Sequence, residues 1–389
     1  MKTVFLVAAI CVASVSFANA DHVDDVISAQ MKERQIPGVA LAVIKGGTIV
    51  REQAYGYCDG AHTQPITPAT LFEAASVSKP VAALAALHLV EQGRVSLDEN
   101  INSKLRSWHI PDNRFTKDHP VTLRLILSHS AGLTVSGFPG YLVGAAIPSL
   151  PQILDGQPPA NTPPVRVDQV PGSQWRYSGG GYLVMQQMMI DVTGEPFADY
   201  VQETVLEPLG MSSSTFVQPL PESLASRAAT GFASAPRRVV EGRWRVKPEL
   251  AAGGLWTTAG DLARFLIGIQ RSLAGTSNPV ISQSMTRQML TPQKNDSGLG
   301  FFLGGSPQRF GHNGSNLGFD AVTLAFSESG EGAVILMNAN TDIEVLKNIL
   351  VEAIGEQYHW PGYPLPRDTP KPSHAANRGL SSCLAFTVS

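Results

Sequence analysis

The chain is poor in cysteine, with three in 389 residues. Cys11 falls inside an apolar N-terminal run, so only Cys58 and Cys383 remain for at most one disulfide, and their spacing leaves open whether it forms. There is no CxxC pair and no Cys/His cluster. The nine histidines show neither HExxH nor HxH spacing, which argues against a zinc hydrolase, and no metal or organic cofactor is expected. Charge is also sparse: 29 Lys and Arg against 32 Asp and Glu give a formal net charge of −3. With no basic run or stripe, nucleic acid is not an expected partner. Beyond the first twenty residues no apolar run approaches the roughly 20 residues a membrane-spanning helix needs, so no stable membrane anchor is expected. The chain also lacks Gly-x-Ser-x-Gly and repeated βαβ units, which argues against an α/β-hydrolase.

What is present begins with an address. Lys2, the apolar run Val4 to Val15 and the small-residue site Ala18-Asn19-Ala20 form an export leader. Cleavage after Ala20 would release a mature chain starting at Asp21 into the periplasm or the medium. Residues 361–389 are Pro-rich and polar, and poor order is expected there.

Between these ends, the pattern from Val23 to Arg34 predicts an amphipathic helix ending before Pro37-Gly38. Val39–Lys45 and Thr48–Tyr55 read as a hairpin over Gly46-Gly47. An Ala- and Leu-rich helix follows from Val81 to Gly93, and a short helix capped by Thr122 from Leu123 to His129. Phe138 to Gly172 is Pro-rich with no clear helical period, which points to a lid or binding loop, or else to a linker. Tyr182–Val192, Pro196–Leu206 and Asp261–Gln270 read as helices. Gly300–Leu303, Phe310–His312, Ala321–Phe326 and Ala333–Met337 read as short strands, and Glu344–Tyr358 as a closing helix. This order predicts an α+β fold with one antiparallel sheet built from both ends of the chain, about 21–70 and 295–360. Helices flank it, and a helical subdomain is inserted at about 80–290.

Three small constellations carry chemistry. Ser76-Val77-Ser78-Lys79 opens the helix before Pro80, so Lys79 stands one turn from Ser76 on the same face. A serine hydroxyl needs a base to become a nucleophile, and a lysine one turn away could take its proton. The second is Tyr177-Ser178-Gly179, followed by Gly180 and Gly181, read as open backbone that a substrate can approach. A phenol near Lys79 would form a proton-shuttling pair with it. Tyr182 takes the packing role. The third is His312-Asn313-Gly314 on a strand whose period puts Phe310, His312 and Gly314 on one face, with Arg309 and Asn313 on the other. A backbone N–H just beyond Gly314, at Ser315, could join that of Ser76 as an oxyanion hole. Singly, each fits a plain structural role: a helix cap with a solvated lysine, a half-buried tyrosine, a hydrogen-bonded strand histidine.

Together, in this order, they resemble the serine hydrolases that include class C β-lactamases, low-molecular-weight penicillin-binding proteins, D-amino-acid peptidases and related esterases. Supporting blocks are Leu127–Leu133, Pro208-Leu209-Gly210-Met211, Ala252-Gly253-Gly254-Leu255 and Asp261–Arg264. The resemblance spans about Val23 to Tyr358 and implies a β-lactamase/transpeptidase-like fold within one hydrolase domain, 21–360. It also implies Ser76, Lys79 and Tyr177 as catalytic residues, Ser76 and Ser315 as the oxyanion hole, and Gly179, His312 and Gly314 as substrate-binding. Two departures shift the expected substrate. Gly179 stands where the family often has Asn, and His312 where such β-lactamases carry Lys, which weakens recognition of a substrate carboxylate. The expectation is a small-molecule or peptide substrate, with an ester or small amide weighed above a β-lactam or a peptidoglycan-derived D-Ala-D-Ala peptide. A non-hydrolysing penicillin or peptidoglycan sensor is the alternative from another class.

Overall fold

The computed structural model describes residues 21–363 except 235, 236, 278 and 307. The expected leader (1–20), nearly all of the 361–389 tail and Cys383 lie outside the described residues. α1 (His22–Arg34) leads into the hairpin β1 (Gly38–Lys45) and β2 (Thr48–Gly56). A short strand β3 (Phe72–Glu73) and a 3-10 turn (Ala75–Val77) open α2 (Ser78–Glu91). The middle of the chain holds α3 (Leu123–Leu127), α4 (Leu150–Asp155), α5 (Gly179–Thr193) and α6 (Phe197–Val201), the last running into a π turn. There follow α7 (Glu222–Ala225), β4 (Phe232–Ala233), β5 (Arg238–Val239), α8 (Leu250–Gly253), β6 (Trp256–Thr257), α9 (Ala259–Ala274) and α10 (Gln283–Met289). β7 (Phe302–Gly304), β8 (Arg309–Asn316), β9 (Phe319–Phe326), β10 (Gly332–Met337) and α11 (Ile343–Tyr358) complete the fold.

Six strands form one antiparallel sheet in the order β2-β1-β10-β9-β8-β7, so the first hairpin closes onto the last strands as the alternating pattern predicts. β1 shows why the sheet is central. Its alternate residues Val39, Leu41 and Val43 pack with Val23 and Ile27 of α1 and Leu346, Leu350 and Ile354 of α11. Ala40, Ala42 and Ile44 face the other way, into the larger core containing Val81, Leu84 and Leu266. A strand buried on both faces needs apolar side chains at consecutive positions. Burying each branched aliphatic contributes about 1.5–3 kcal/mol.

Two expectations need correction. The Pro-rich stretch contains α4, which starts with a capping box between Ser149 and Gln152 and tolerates Pro151 in its first turn. Ile153, Leu154 and Val165 are fully buried, so the stretch packs as part of the core. α9, assigned to the helical part, lies against the sheet instead: Gln270 Nε2 donates to the carbonyls of Phe326 and Glu331, each at 2.9 Å.

β8 passes over the turn that precedes α2. A Cβ built on Gly314 would stand 2.3 Å from the Ala74 carbonyl oxygen and 2.8 Å from the Ser76 nitrogen. No side chain fits that gap unless strand and turn separate. Gly314→Ala is therefore expected to lower stability by about 1–3 kcal/mol, the usual cost of overpacking, whereas Gly304→Ala on β7, with nothing within 4 Å, leaves it nearly unchanged. Urea unfolding of the two variants checks this.

Candidate active site

Ser76 sits in the 3-10 turn that leads into α2, one step before the helix proper. Ala75, just before it, has φ = +49°, a left-handed conformation that L residues other than Asn and Asp seldom adopt. Ser78 braces the turn: its hydroxyl donates to the Ala75 carbonyl at 2.6 Å and accepts from the Leu255 N–H at 3.0 Å. Helical spacing then brings Lys79 back over Ser76. Its Nζ donates to Ser76 Oγ at 3.2 Å and to the Ala252 carbonyl at 2.6 Å. Lys79 is only 1% exposed, and a buried ammonium is tolerable only with such acceptors. The Ala252–Leu255 block is thus a shelf whose carbonyl receives the lysine.

Tyr177 closes the other side. Lys79 Nζ lies 4.9 Å from the centroid of its ring and 5.5 Å from that of Tyr182. Tyr182 is buried and donates its hydroxyl to the Leu127 carbonyl, the packing role expected of it. His129 organises the segment. Its carbonyl accepts from the Arg176 N–H at 2.7 Å, its Nδ1 accepts from the Ser178 N–H at 3.2 Å, and its ring lies 4.3 Å from that of Tyr177. Burial, then the charge of Lys79, then His312 hold the His129 imidazole well below its ordinary pKa, so it is neutral.

The glycines after Tyr177 are not open backbone. A Cβ on Gly179 would meet the Phe138 ring and the Ser136 carbonyl, each at 2.9 Å, and one on Gly180 would meet the Thr134 carbonyl at 2.5 Å. Gly179 N–H already donates to Ser136 at 3.2 Å. These glycines let the start of α5 press against residues 133–138, and the Phe138 ring takes the space a side chain at position 179 would need.

His312 is on the face of β8 that its strand period predicts, buried and flanked by Phe302 (ring centroids 4.7 Å apart) and Tyr177 (6.2 Å). On the opposite face Asn313 donates to Glu344 of α11, and Arg309 donates to Tyr363. Burial and then Lys79 push the His312 pKa down to about 3. Its Nδ1 lies 2.5 Å from the Asn313 carbonyl, an acceptor, so Nδ1 carries the proton. Nε2 is then a lone-pair acceptor, buried and without a hydrogen-bond partner among the described residues. Ser315 follows Gly314, its hydroxyl accepting from Asn340 Nδ2 at 3.1 Å.

Several neighbours carry no motif and escape sequence reading. Phe302 and Trp175 complete the aromatic wall, their rings 6.4 Å apart. Behind the turn lies a buried charged cluster of Glu73, Lys247 and Glu249. Burial raises both carboxyls to about 7 against the opposing pull of Lys247. Burial lowers the Lys247 pKa against the pull of both glutamates, and its Nζ donates to the Phe138 carbonyl at 2.8 Å. Lys79 is therefore not the only buried lysine near the turn. His129 alone had a signal, as part of the Leu127–Leu133 block.

With the lysine–tyrosine pair one proton short, as ammonium with phenolate, this arrangement can take the proton of a hydroxyl, and it can hold a substrate against neutral aromatic surface. Among the described residues no three His, Cys, Asp or Glu side chains group as metal ligands would. No helix among them is long and apolar enough to cross a membrane.

Comparison with known proteins gives the same frame. The beta-lactamase family model matches residues 23–355. PbpX of Bacillus subtilis (strain 168), named as a penicillin-binding protein, is 26% identical over 321 residues, covering 80% of this chain and 73% of its own. Esterase EstB of Burkholderia gladioli is 30% identical over 218 residues, and that match spans 53% of this chain and about half, 54%, of the esterase. The crystal structure of a D-amino acid amidase from Ochrobactrum anthropi SV3, complexed with D-phenylalanine, superposes with a TM-score of 0.70 at 22% identity. That alignment covers 86% of this chain and 98% of the amidase, and shares the fold.

The His312 environment has a pH consequence. The unfolded chain protonates this imidazole near pH 6.5, while the folded chain resists until about pH 3. The associated stability is present above 6.5 and is lost as pH falls from there toward 3. His312→Asn is expected to flatten the acid decline in stability relative to wild type. In the wild-type protein, the His312 Cε1–H NMR signal should not titrate between pH 5 and 9; a transition near 6.5 contradicts this.

Proposed function

This chain belongs to the beta-lactamase family, and on that premise we propose that it is an exported serine hydrolase acting through an acyl-enzyme on a neutral carboxylic ester or small amide. The observation that carries the reading is the Lys79 Nζ held 3.2 Å from Ser76 Oγ beside the Tyr177 ring. In this reading the Lys79/Tyr177 pair enters one proton short, as ammonium with phenolate; Ser76 Oγ attacks the substrate carbonyl carbon, and its proton passes to the Tyr177 oxygen. Backbone N–H groups of Ser76 and Ser315 hold the oxyanion. The tetrahedral intermediate collapses, and the alcohol or amine leaves with the proton the pair returns to it. Water then attacks the acyl ester, gives a proton to the same pair, and releases the acid while Ser76 Oγ regains its hydrogen.

The choice of a neutral substrate rests on the wall. His312 offers a lone pair and no positive charge, and Phe302 and Trp175 add apolar surface. A penicillin or a D-Ala-D-Ala peptide presents a carboxylate, which a lone-pair acceptor repels. Gly179 and Phe138 leave no amide for an acylamino side chain. Gly314, expected to line the substrate's path, instead lets β8 lie directly against the Ser76 turn. Export rests on Lys2 to Ala20 of the sequence, with cleavage after Ala20.

A fluorophosphonate probe followed by peptide mass spectrometry is expected to label Ser76, and Ser76→Ala to lose both the label and at least about 10³-fold of turnover. Label that persists on another serine in that variant overturns the mechanism. Among nitrocefin, a short-chain p-nitrophenyl ester and a D-Ala-D-Ala peptide, the ester is expected to turn over fastest, with a burst and then steady release. Fast nitrocefin turnover overturns the substrate preference, and stoichiometric labelling without turnover identifies a sensor.

A further inference from the structure

Asn316 ends β8, directly after Ser315. Its side-chain nitrogen donates twice: to Glu73 Oε2 at 2.5 Å and to the Gly253 carbonyl at 3.0 Å. Two acceptors use both hydrogens of a carboxamide nitrogen, so this group is saturated. Its acceptors come from the two segments on which the candidate nucleophile depends. Glu73 lies on β3, three residues before Ser76, and Gly253 follows Ala252, whose carbonyl receives Lys79. These segments also join each other, through the β3–β6 pair and the Ala74 N–H to the Leu255 carbonyl at 2.9 Å.

The sheet itself does not need Asn316. β8 is already registered to β9 by eight residue pairs, and Asn340 Nδ2 holds the Asn316 carbonyl at 2.7 Å. What the carboxamide adds is a link out of the sheet. It runs to an oxygen of the buried Glu73 carboxyl at 2.5 Å, a short contact across two elements far apart in the chain. Glu73 faces Lys247, which in turn donates to the Phe138 carbonyl beside Gly179. Hydrogen bonds at either end, with the electrostatic pull between Glu73 and Lys247 in the middle, therefore join the end of β8, the approach to Ser76 and the segment packed on the Tyr177 motif.

We propose that Asn316 is a positioning residue. By tying the end of β8 to Glu73 and Gly253 it sets the spacing between the Ser315 backbone, the Ser76 turn and the carbonyl shelf under Lys79. The proposal rests on the hydrolase reading above. Removing the tie leaves the binding surface of Phe302, Trp175 and His312 in place and loosens the oxyanion side, so it acts on the chemical step more than on binding.

Four proteins test it with the p-nitrophenyl ester: Asn316→Ala, Asn316→Asp, Glu73→Gln, and the double variant Glu73→Gln/Asn316→Asp. Asn316→Ala is expected to lower kcat about 10- to 100-fold, the scale of a small misplacement of reacting groups, with KM held within about twofold, and to slow fluorophosphonate labelling of Ser76 by a similar factor. Asn316→Asp sets two carboxyl groups against each other and should fall further. The double variant reverses donor and acceptor between positions 73 and 316, and should recover at least about tenfold over Asn316→Asp through the restored pair. Circular dichroism and active-site titration give the folded fraction. A kcat loss that follows only the folded fraction, unchanged labelling in Asn316→Ala, or a double variant no better than Asn316→Asp overturns the positioning role. Labelled wild type with unaffected Asn316→Ala overturns this role alone, whereas wild type unlabelled at Ser76 overturns the hydrolase reading with it.

Discussion

The buried Lys79 ammonium governs the local architecture. A charge with 1% exposure has to be met by acceptors in fixed places, because solvent cannot repair a poor fit. One acceptor, Ser76 Oγ, comes from the lysine's own turn. Another, the Ala252 carbonyl, comes from a segment 173 residues further along the chain. Several elements serve that meeting: β3 pairs with β6, Ser78 receives the Leu255 N–H, and α8 presents the Ala252 carbonyl to α2. The sheet brings in β8 from beyond them. The site is the seam where these elements close on each other, so its geometry and the packing of the two cores are one problem.

The electrostatic character of the seam follows from how it is sealed. His129 and His312 both lie close enough to Lys79 for its charge to disfavour a second cation, and burial acts in the same direction. Two imidazoles that would titrate near neutrality in water become fixed neutral groups with defined tautomers. Glu73 and Glu249 are driven the other way, toward holding protons near pH 7, with Lys247 opposing. The front of the site is aromatic and uncharged around one ammonium, and the ionisable carboxyls stand behind the turn.

Much of this was legible in the residues, and the boundary of legibility is physical. Strand alternation gave β1, β2 and β7 to β10 to within a few positions, and period two placed His312 and Gly314 on the correct face, because sheet pleating is local. Ser76 and Lys79 were readable because helical spacing is local too. Residues joined only by tertiary packing were not. Nothing around Glu73, Lys247 or Asn316 marks them as partners, since 243 residues separate Asn316 from Glu73. The glycines after Tyr177 were read as openness, yet a missing side chain serves close packing as readily as access, and only the Phe138 ring decides between them. α4 was hidden by its prolines, although Ser149 and Gln152 carry a capping signature that a composition-led reading passes over.

Ala75 shows one further consequence. Its left-handed backbone, of the kind that costs on the order of 1–3 kcal/mol, stands where β3 must turn sharply into α2. A regular helical residue there would start the helix earlier, and amide groups beside the serine would be drawn into the helical ladder. A β-branched side chain could scarcely hold this conformation, while glycine would hold it with less strain but with more freedom in the unfolded chain. The range of residues acceptable at position 75 is thereby set by a torsion angle and not by any contact with a substrate. Sequence variation at this position among related chains would thus report the shape of the turn, and would say little about what the serine attacks.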